Sequence, residues 1–323
     1  MALTAREKAT WPPYQLVEDS LAHRAADKLD KLERLYHVGQ EYACDGRQVL
    51  ADLIAKHGPP RLPPEKKDAA LKLLSILLWG ELAAWAISAD LAERIDDVEA
   101  KMAATSQAHD EARHFYVLRD YLRAIGEPVP RLGGIARRLL LGILETDSLV
   151  HKLIGMQLLT ESNALTFFRG LVEIELEPVL GELLPYYERD EARHVGLGVM
   201  YLPRLMARQT RSEAMRAAAF QLRCVWLLIS AGMTLRDVFR DLGMDQRHMA
   251  EYSLELQDQI VRDMFRDARK GTVRGIINPT QGLGPRILDF VHPVGGERAA
   301  STWHRLALNV WKRGAFFADR ALA

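Results

Sequence analysis

Residues Asp110–His114 read DEARH, and residues Asp190–His194 read DEARH again. Each copy holds a Glu-x-x-His pair, Glu111 with His114 and Glu191 with His194. Positions i and i+3 of a helix project from one face, so each pair can grip a single metal ion. A further glutamate lies 30 residues before the glutamate of each pair, Glu81 in LLWGELAAW and Glu161 in LLTESNAL, both inside apolar helical stretches. One Glu-x-x-His arises by chance easily. Six ligand-type residues repeated at matching spacing do not. Four carboxylates and two imidazoles are the donors of a dinuclear site inside a four-helix bundle.

The rest of the sequence fits an all-α chain. Ala, Leu, Arg and Glu dominate and 3.6-residue periodicity recurs. Leu74, Leu77, Leu78, Glu81, Leu82 and Trp85 share one expected helical face, which aims Glu81 at the core. A turn is expected near Asp96, with Asp96 and Glu99 placed as a capping box for the next helix. Glu81 and Glu111 each lie about 22 Å from that turn at 1.5 Å per residue, level across an antiparallel pair. The second half repeats the arrangement around a turn near 170–178, with Pro178 suited to the first turn of its helix. Pro185 is expected to kink that helix. From Glu111 to Glu161, roughly 20 residues are left for a crossover long enough to run the length of a bundle. The second and third helices are then parallel.

Breaks at 58–64, 126–134 and 271–285 divide what is expected to be a single all-α domain. Residues 1–64 form an N-terminal helical extension, 65–208 the bundle and 209–323 a C-terminal extension. Lys+Arg and Asp+Glu are equal at 43 each, so no global field recruits nucleic acid or an anionic membrane. The N-terminal MALTAREKATWPPYQ lacks the apolar core of a signal peptide, and the apolar run Val225–Leu235 is too short to cross a bilayer. A cytoplasmic location without membrane contact is the expectation. Cys44 and Cys224 are too few for a disulfide framework, a zinc knuckle or an iron–sulfur cluster.

With these motifs the stretch from about Leu71 to Leu205 resembles the ferritin-like di-iron carboxylate proteins. The D-E-x-R-H form is most similar to oxygen-activating members: multicomponent monooxygenases, acyl-carrier-protein desaturases, and aryl or acyl-CoA oxygenases. Subfamily marks are missing. A reductase small subunit would carry a radical tyrosine where Leu118 stands. A multicomponent monooxygenase would have threonine at Leu165, and an arylamine N-oxygenase histidine at Tyr187. No Cys-rich rubredoxin module is present, and the chain is about twice a storage ferritin's length.

The resemblance implies a ferritin-like four-helix bundle with extra N- and C-terminal helices. Glu81, Glu111 and His114 would bind one iron, and Glu161, Glu191 and His194 the other. Hard carboxylates can bridge two ions, and one imidazole per ion leaves positions open for O2 or substrate. Asp110 and Asp190 are expected to orient the histidines, crossed so that Asp110 serves His194 and Asp190 serves His114, with Arg113 and Arg193 pairing with the aspartates. Tyr187 shares a face with Glu191 and His194 and is the candidate redox-active or hydrogen-bonding neighbour. Phe115, Leu118, Leu165 and Phe168 are candidate pocket walls. Gly196 and Gly198 would open substrate space or allow close packing. The amphipathic segment from Trp303 to Phe317 would dock on the bundle or on a second subunit, giving a homodimer.

The implied activity is a monooxygenase-type oxidoreductase using two iron ions, or Mn/Fe, and O2. It would hydroxylate, N-oxygenate or desaturate a small organic substrate, free or carrier-linked. The chain carries no iron–sulfur ligand set and no dinucleotide fingerprint, so electrons would come from an external ferredoxin or flavin reductase. A substrate-free Fe/Fe or Mn/Fe oxidase and a non-catalytic metal-binding scaffold stay open as alternatives.

Overall fold

A computed structural model describes residues 27–266, 283–296 and 300–322. All regular elements among the described residues are helical. Among the described residues, two N-terminal helices, α1 (Asp27–Glu41) and α2 (Gly46–His57), precede the bundle. The first bundle pair is α3 (Lys67–Arg94) and α4 (Val98–Ile125). A crossover containing α5 (Gly134–Leu144) leads to the second pair. Its first member is composite: α6 (Leu149–Leu153), a π-helical segment (Ile154–Thr160) and α7 (Glu161–Glu173). Its second member is α8 (Pro178–Ala207).

The topology follows from the side-chain register. Asp110 meets Arg193 while Arg113 meets Asp190, so α4 and α8 run antiparallel. The short 174–177 turn makes α7 and α8 antiparallel too. Hence α4 and α7, the second and third helices, are parallel, and one long crossover joins them. The fold is ferritin-like, as the motif spacing implies.

Two apolar clusters fill the bundle on either side of its polar middle. One gathers Ile87, Leu91, Leu153 and Leu202; the other gathers Leu73, Leu74, Leu118, Phe168 and Leu183. The α3 stripe departs from expectation after Glu81. Ala83, Ala84 and Ile87 are buried, whereas Leu82 is half-buried and Trp85 is 40% exposed. Small alanines bring α3 close to its neighbours and leave the indole at the rim, 6.3 Å from the Phe115 ring.

The expected capping box at Asp96 and Glu99 does not form. The N-cap of α4 is Asp97, without a side-chain capping bond. Its carboxylate pairs instead with Arg204 of α8 at 2.9 Å. Pro178 opens α8 as expected, with Glu177 accepting from the Leu180 amide at 2.9 Å. Helix α8 continues through Pro185 and Pro203 rather than ending at either.

Among the described residues, five further helices follow the bundle: α9 (Arg211–Thr234), α10 (Arg236–Leu242), α11 (Gln246–Arg266), α12 (Leu283–Val291) and α13 (Thr302–Leu322). The N-terminal MALTAREKATWPPYQ and most of the 271–285 break lie outside the described residues. Cys224 is buried and Cys44 half-buried, both as free thiols.

Candidate metal centre

Four helices deliver one buried polar layer. Helix α3 supplies Glu81; α4 supplies Gln107, Asp110, Glu111, Arg113 and His114. The π segment and α7 supply Gln157 and Glu161, and α8 supplies Tyr187, Asp190, Glu191, Arg193 and His194. All of these side chains are buried. Glu81 and Glu161 are thus brought to both Glu-x-x-His pairs, across the bundle.

The donor atoms fall into two overlapping sets. One comprises Glu81, Glu111, His114 and Glu191; the other comprises Glu111, Glu161, Glu191 and His194. In each set the donor atoms lie within 4.8 Å of one another. Glu111 and Glu191 belong to both. Either carboxylate could therefore serve two cation positions at once.

The separations suit a cation. His114 Nδ1 lies 3.3 Å from Glu81 Oε2, 3.6 Å from Glu111 Oε2 and 3.3 Å from Glu191 Oε1. His194 Nδ1 lies 3.0 Å from both Glu111 Oε1 and Glu191 Oε2. Ligands held about 2.1 Å from a small divalent ion stand about 3 Å from their neighbours. His114 Nδ1 and Glu111 Oε2 are fully buried, yet neither has an aligned hydrogen-bond partner. They face opposite charge at 3.3–3.6 Å without forming a hydrogen bond, a spacing that a cation between them would satisfy better. The residues fit a metal pair.

Outside the donors sits a crossed charge quartet. His114 Nε2 faces Asp190 Oδ2 at 3.3 Å, and His194 Nε2 faces Asp110 Oδ2 at 3.5 Å. Arg113 donates to Asp110 at 2.8 Å and to Asp190 at 2.6 Å. Arg193 donates to Asp110 at 3.0 Å and to Asp190 at 2.7 Å. Each imidazole thereby turns Nε2 to a carboxylate and Nδ1 to the donor sets, which fixes the ligating nitrogen. Helix α1 and the following loop close this side: a Cβ on Gly39 would strike Ser106 and Arg193, and Arg189 donates to the Tyr42 carbonyl at 3.1 Å.

Electrostatics divide the carboxylates into two kinds. Burial pushes the Glu81 carboxyl up to about 8. Burial also raises Glu161 well above the usual carboxylate range, helped by Glu191 and Glu111. Burial would raise Glu111 and Asp190 as well, but nearby imidazoles outweigh it for Glu111, and His114 and Arg193 for Asp190, so both are held low. Asp110 is held at about 2, with His194 and the two guanidiniums outweighing its desolvation. Both imidazoles are raised despite burial, because carboxylates surround them. With Asp110 and Asp190 balanced by Arg113 and Arg193, four positive charges on the inner carboxylates and imidazoles would make this layer neutral. Two divalent cations would take the place of those four positive charges.

Tyr187 stacks on the His114 ring, centroids 4.2 Å apart, and its hydroxyl donates to the His114 carbonyl at 2.7 Å. Two neighbours were not singled out from sequence. Gln107 donates to Glu161 Oε1 at 2.9 Å and Glu111 Oε1 at 3.2 Å, and accepts from Gln157 at 3.2 Å. Each glutamine stands one helical turn before a candidate ligand, Glu111 or Glu161. That i−4 spacing was a readable signal.

The π-helical segment is a second feature that periodicity missed. Its wide turn re-aims the chain just before Glu161. Thr160 bonds the Gly155 carbonyl at 2.7 Å, while Ser162 and Gln257 of α11 both serve the Leu158 carbonyl. Gly198 is there for close packing: a Cβ would lie 2.7 Å from that of Gln157.

An apolar cavity of about 380 Å³ adjoins the centre. Glu81 and Glu161 stand in its wall, with Leu77, Ala84, Phe167 and Val225 among the apolar residues. The expected walls are different residues. Leu118 and Phe168 are packed in the core, and neither they nor Phe115 and Leu165 line this cavity. The wall on the far side comes from α9, α11 and α12, beyond the bundle motifs altogether.

No protein-family model and no curated protein matches the chain. Among solved structures, its fold is similar to that of R2-like ligand-binding oxidases. A variant with an anaerobically reconstituted Mn/Fe cofactor superposes with a TM-score of 0.54 at 20% identity, covering 72% of this chain and 92% of that one. A variant with an aerobically reconstituted Mn/Fe cofactor gives 0.50 at 19% identity, covering 72% and 93%. One with an Fe/Fe cofactor gives 0.50 at 18% identity, covering 72% and 92%.

Proposed function

We propose that this chain is an O2-activating oxidase or oxygenase whose cofactor is a dinuclear Fe/Fe or Mn/Fe centre. The observation that carries the reading is the pair of stranded atoms, His114 Nδ1 and Glu111 Oε2, inside two donor sets that share Glu111 and Glu191. Solved structures of similar fold that contain Mn/Fe or Fe/Fe cofactors support the choice of metals. Glu81, Glu111, His114 and Glu191 would hold one ion; Glu111, Glu161, Glu191 and His194 would hold the other. When bound, such a pair supplies the electrons that reduce O2 to an oxidant.

The surrounding residues do the rest. Asp110 and Asp190 hold the Nε2 protons, leaving each Nδ1 free to ligate. Gln107 steadies Glu161 through one oxygen and leaves the other to the centre. Tyr187 fixes the plane of the His114 ring by stacking. The mostly apolar cavity would receive an organic substrate of the same character, presented along Glu81 and Glu161. Hydroxylation, N-oxygenation and desaturation all suit this arrangement. Each consumes one O2 with two electrons from an external donor, a ferredoxin or flavin reductase.

The test is to load the protein anaerobically with Fe(II), or with Mn(II) and Fe(II), and mix it with O2. Oxygen uptake with a matching optical change is the expected result. Uptake that also rises with an apolar substrate supports the oxygenase form, and uptake indifferent to every substrate supports the substrate-free oxidase. A loaded centre inert to O2 under all these conditions would leave only a metal-binding scaffold.

A further inference from the structure

Helix α13 is amphipathic on both sides. Its inner face, Leu308, Trp311 and Ala315, packs onto the protein, and Trp311 donates to Ser230 of α9 at 3.4 Å. Its outer face is apolar as well. Trp303, Leu306, Val310 and Phe317 fall on one narrow arc at 3.6 residues per turn. They are 79%, 54%, 65% and 77% exposed. Isolated exposed apolar residues need no explanation, but an aligned stripe of four large ones does.

The charge around the stripe is one-sided. Helices α5, α9 and α13 pack on one another. They carry two, three and four Lys or Arg residues respectively, against only Glu213 and Asp319. Both acids are engaged locally, Glu213 in the Thr210 capping box and Asp319 on the Ile135 amide at 2.8 Å. The whole chain is neutral, with 43 charges of each sign, so this excess is a property of these three helices. Arg313 and Arg320 border the apolar arc directly.

We infer that this face docks on an anionic lipid surface, with α13 lying in the headgroup plane. An apolar arc containing Trp and Phe, edged by Arg313 and Arg320, is the pattern of an interfacial helix. A second copy of the chain is the poorer occupant. A twofold contact would set the same cationic helices against each other. Helix α9 adds a second apolar stripe, Met215, Leu222 and Trp226, all more than half exposed. By length and composition α9 could even cross a bilayer, and only 33% of its apolar window is buried. The expectation of no membrane contact rested on balanced total charge and the lack of a long apolar run, and neither says how charge and apolar residues are distributed over the surface. Leu222 also lines the cavity, so the cavity reaches the surface within this α9 stripe. An apolar substrate would then pass from the lipid to Glu81 and Glu161 without crossing water; this last step alone rests on the oxygenase reading.

The experiment uses the full chain and vesicles of phosphatidylcholine with and without phosphatidylglycerol. Co-sedimentation should occur with the anionic vesicles and weaken as salt is added. The double change Trp303→Glu and Phe317→Glu should reduce binding at least about tenfold. Both positions are exposed, so the helical spectrum and the metal content should not change. Failure to bind anionic vesicles overturns the inference, as does binding untouched by the double change. A dimer in size exclusion that the double change dissolves, with no vesicle binding, assigns the face to a second copy instead. None of these outcomes depends on oxygen chemistry.

Discussion

Tyr187 and His114 are joined twice: ring stacked on ring at 4.2 Å, and hydroxyl bonded to backbone carbonyl at 2.7 Å. The phenol is thus a brace across α4 and α8 for one candidate ligand. Tyr187→Phe keeps the stack and removes only the bond. It should lower stability by about 1 kcal/mol, the usual net worth of one such bond, and retain two metal ions per chain. Oxygen uptake in a single turnover should persist. Loss of uptake with full metal content would assign Tyr187 a redox role instead, to be checked by electron paramagnetic resonance of the reacting wild type.

Asp190 balances Arg113 and Arg193, accepts from Arg189 at 3.3 Å and faces His114 Nε2, so its charge is used four times. Asp190→Asn should weaken metal binding roughly 10–100-fold, the usual effect of losing a partner behind a ligating histidine. Competitive chelator titration measures it. Asp110→Asn should act alike through His194. If both variants bind metal as the wild type does, the quartet only braces the helices.

Metal binding should strengthen with pH. Glu81 is raised from 4.5 to about 8 in the metal-free fold, and both imidazoles are raised. Groups with raised folded values bind protons more tightly when folded. Their stabilisation is complete below the unfolded values and is lost as pH rises through the folded ones. The metal-free protein therefore loses stability between about pH 4.5 and 8, while cations displace the same protons more easily there. The rise in melting temperature on adding Mn(II) should grow from about pH 6 to about pH 8. A rise that is flat or shrinks with pH would contradict this assignment of protons.

The bundle was legible because its signals are local. Glu81, Glu111, Glu161 and Glu191 with the two histidines stand at repeating intervals along helices, and the interval alone sets them level. The crossed aspartates were legible for the same reason, since Asp110 and Asp190 travel with the motif. Non-local features were hidden. The π-helical segment before Glu161 leaves no periodic trace, because its carbonyls are served by Thr160, Ser162 and the distant Gln257. The cavity wall depends on α9, α11 and α12, whose seat on the bundle no motif records. Trp85 was misplaced because helical periodicity cannot tell a core position from its rim. The basic, apolar face was invisible to a charge count that sums to zero.

The most direct test of the dinuclear assignment is the metal content of Glu111→Ala and Glu191→Ala, measured by elemental analysis after anaerobic loading. Both carboxylates belong to both donor sets, so removing either should abolish tight binding of the pair, while the wild type holds close to two ions per chain. Two tightly held ions in both variants would contradict the account.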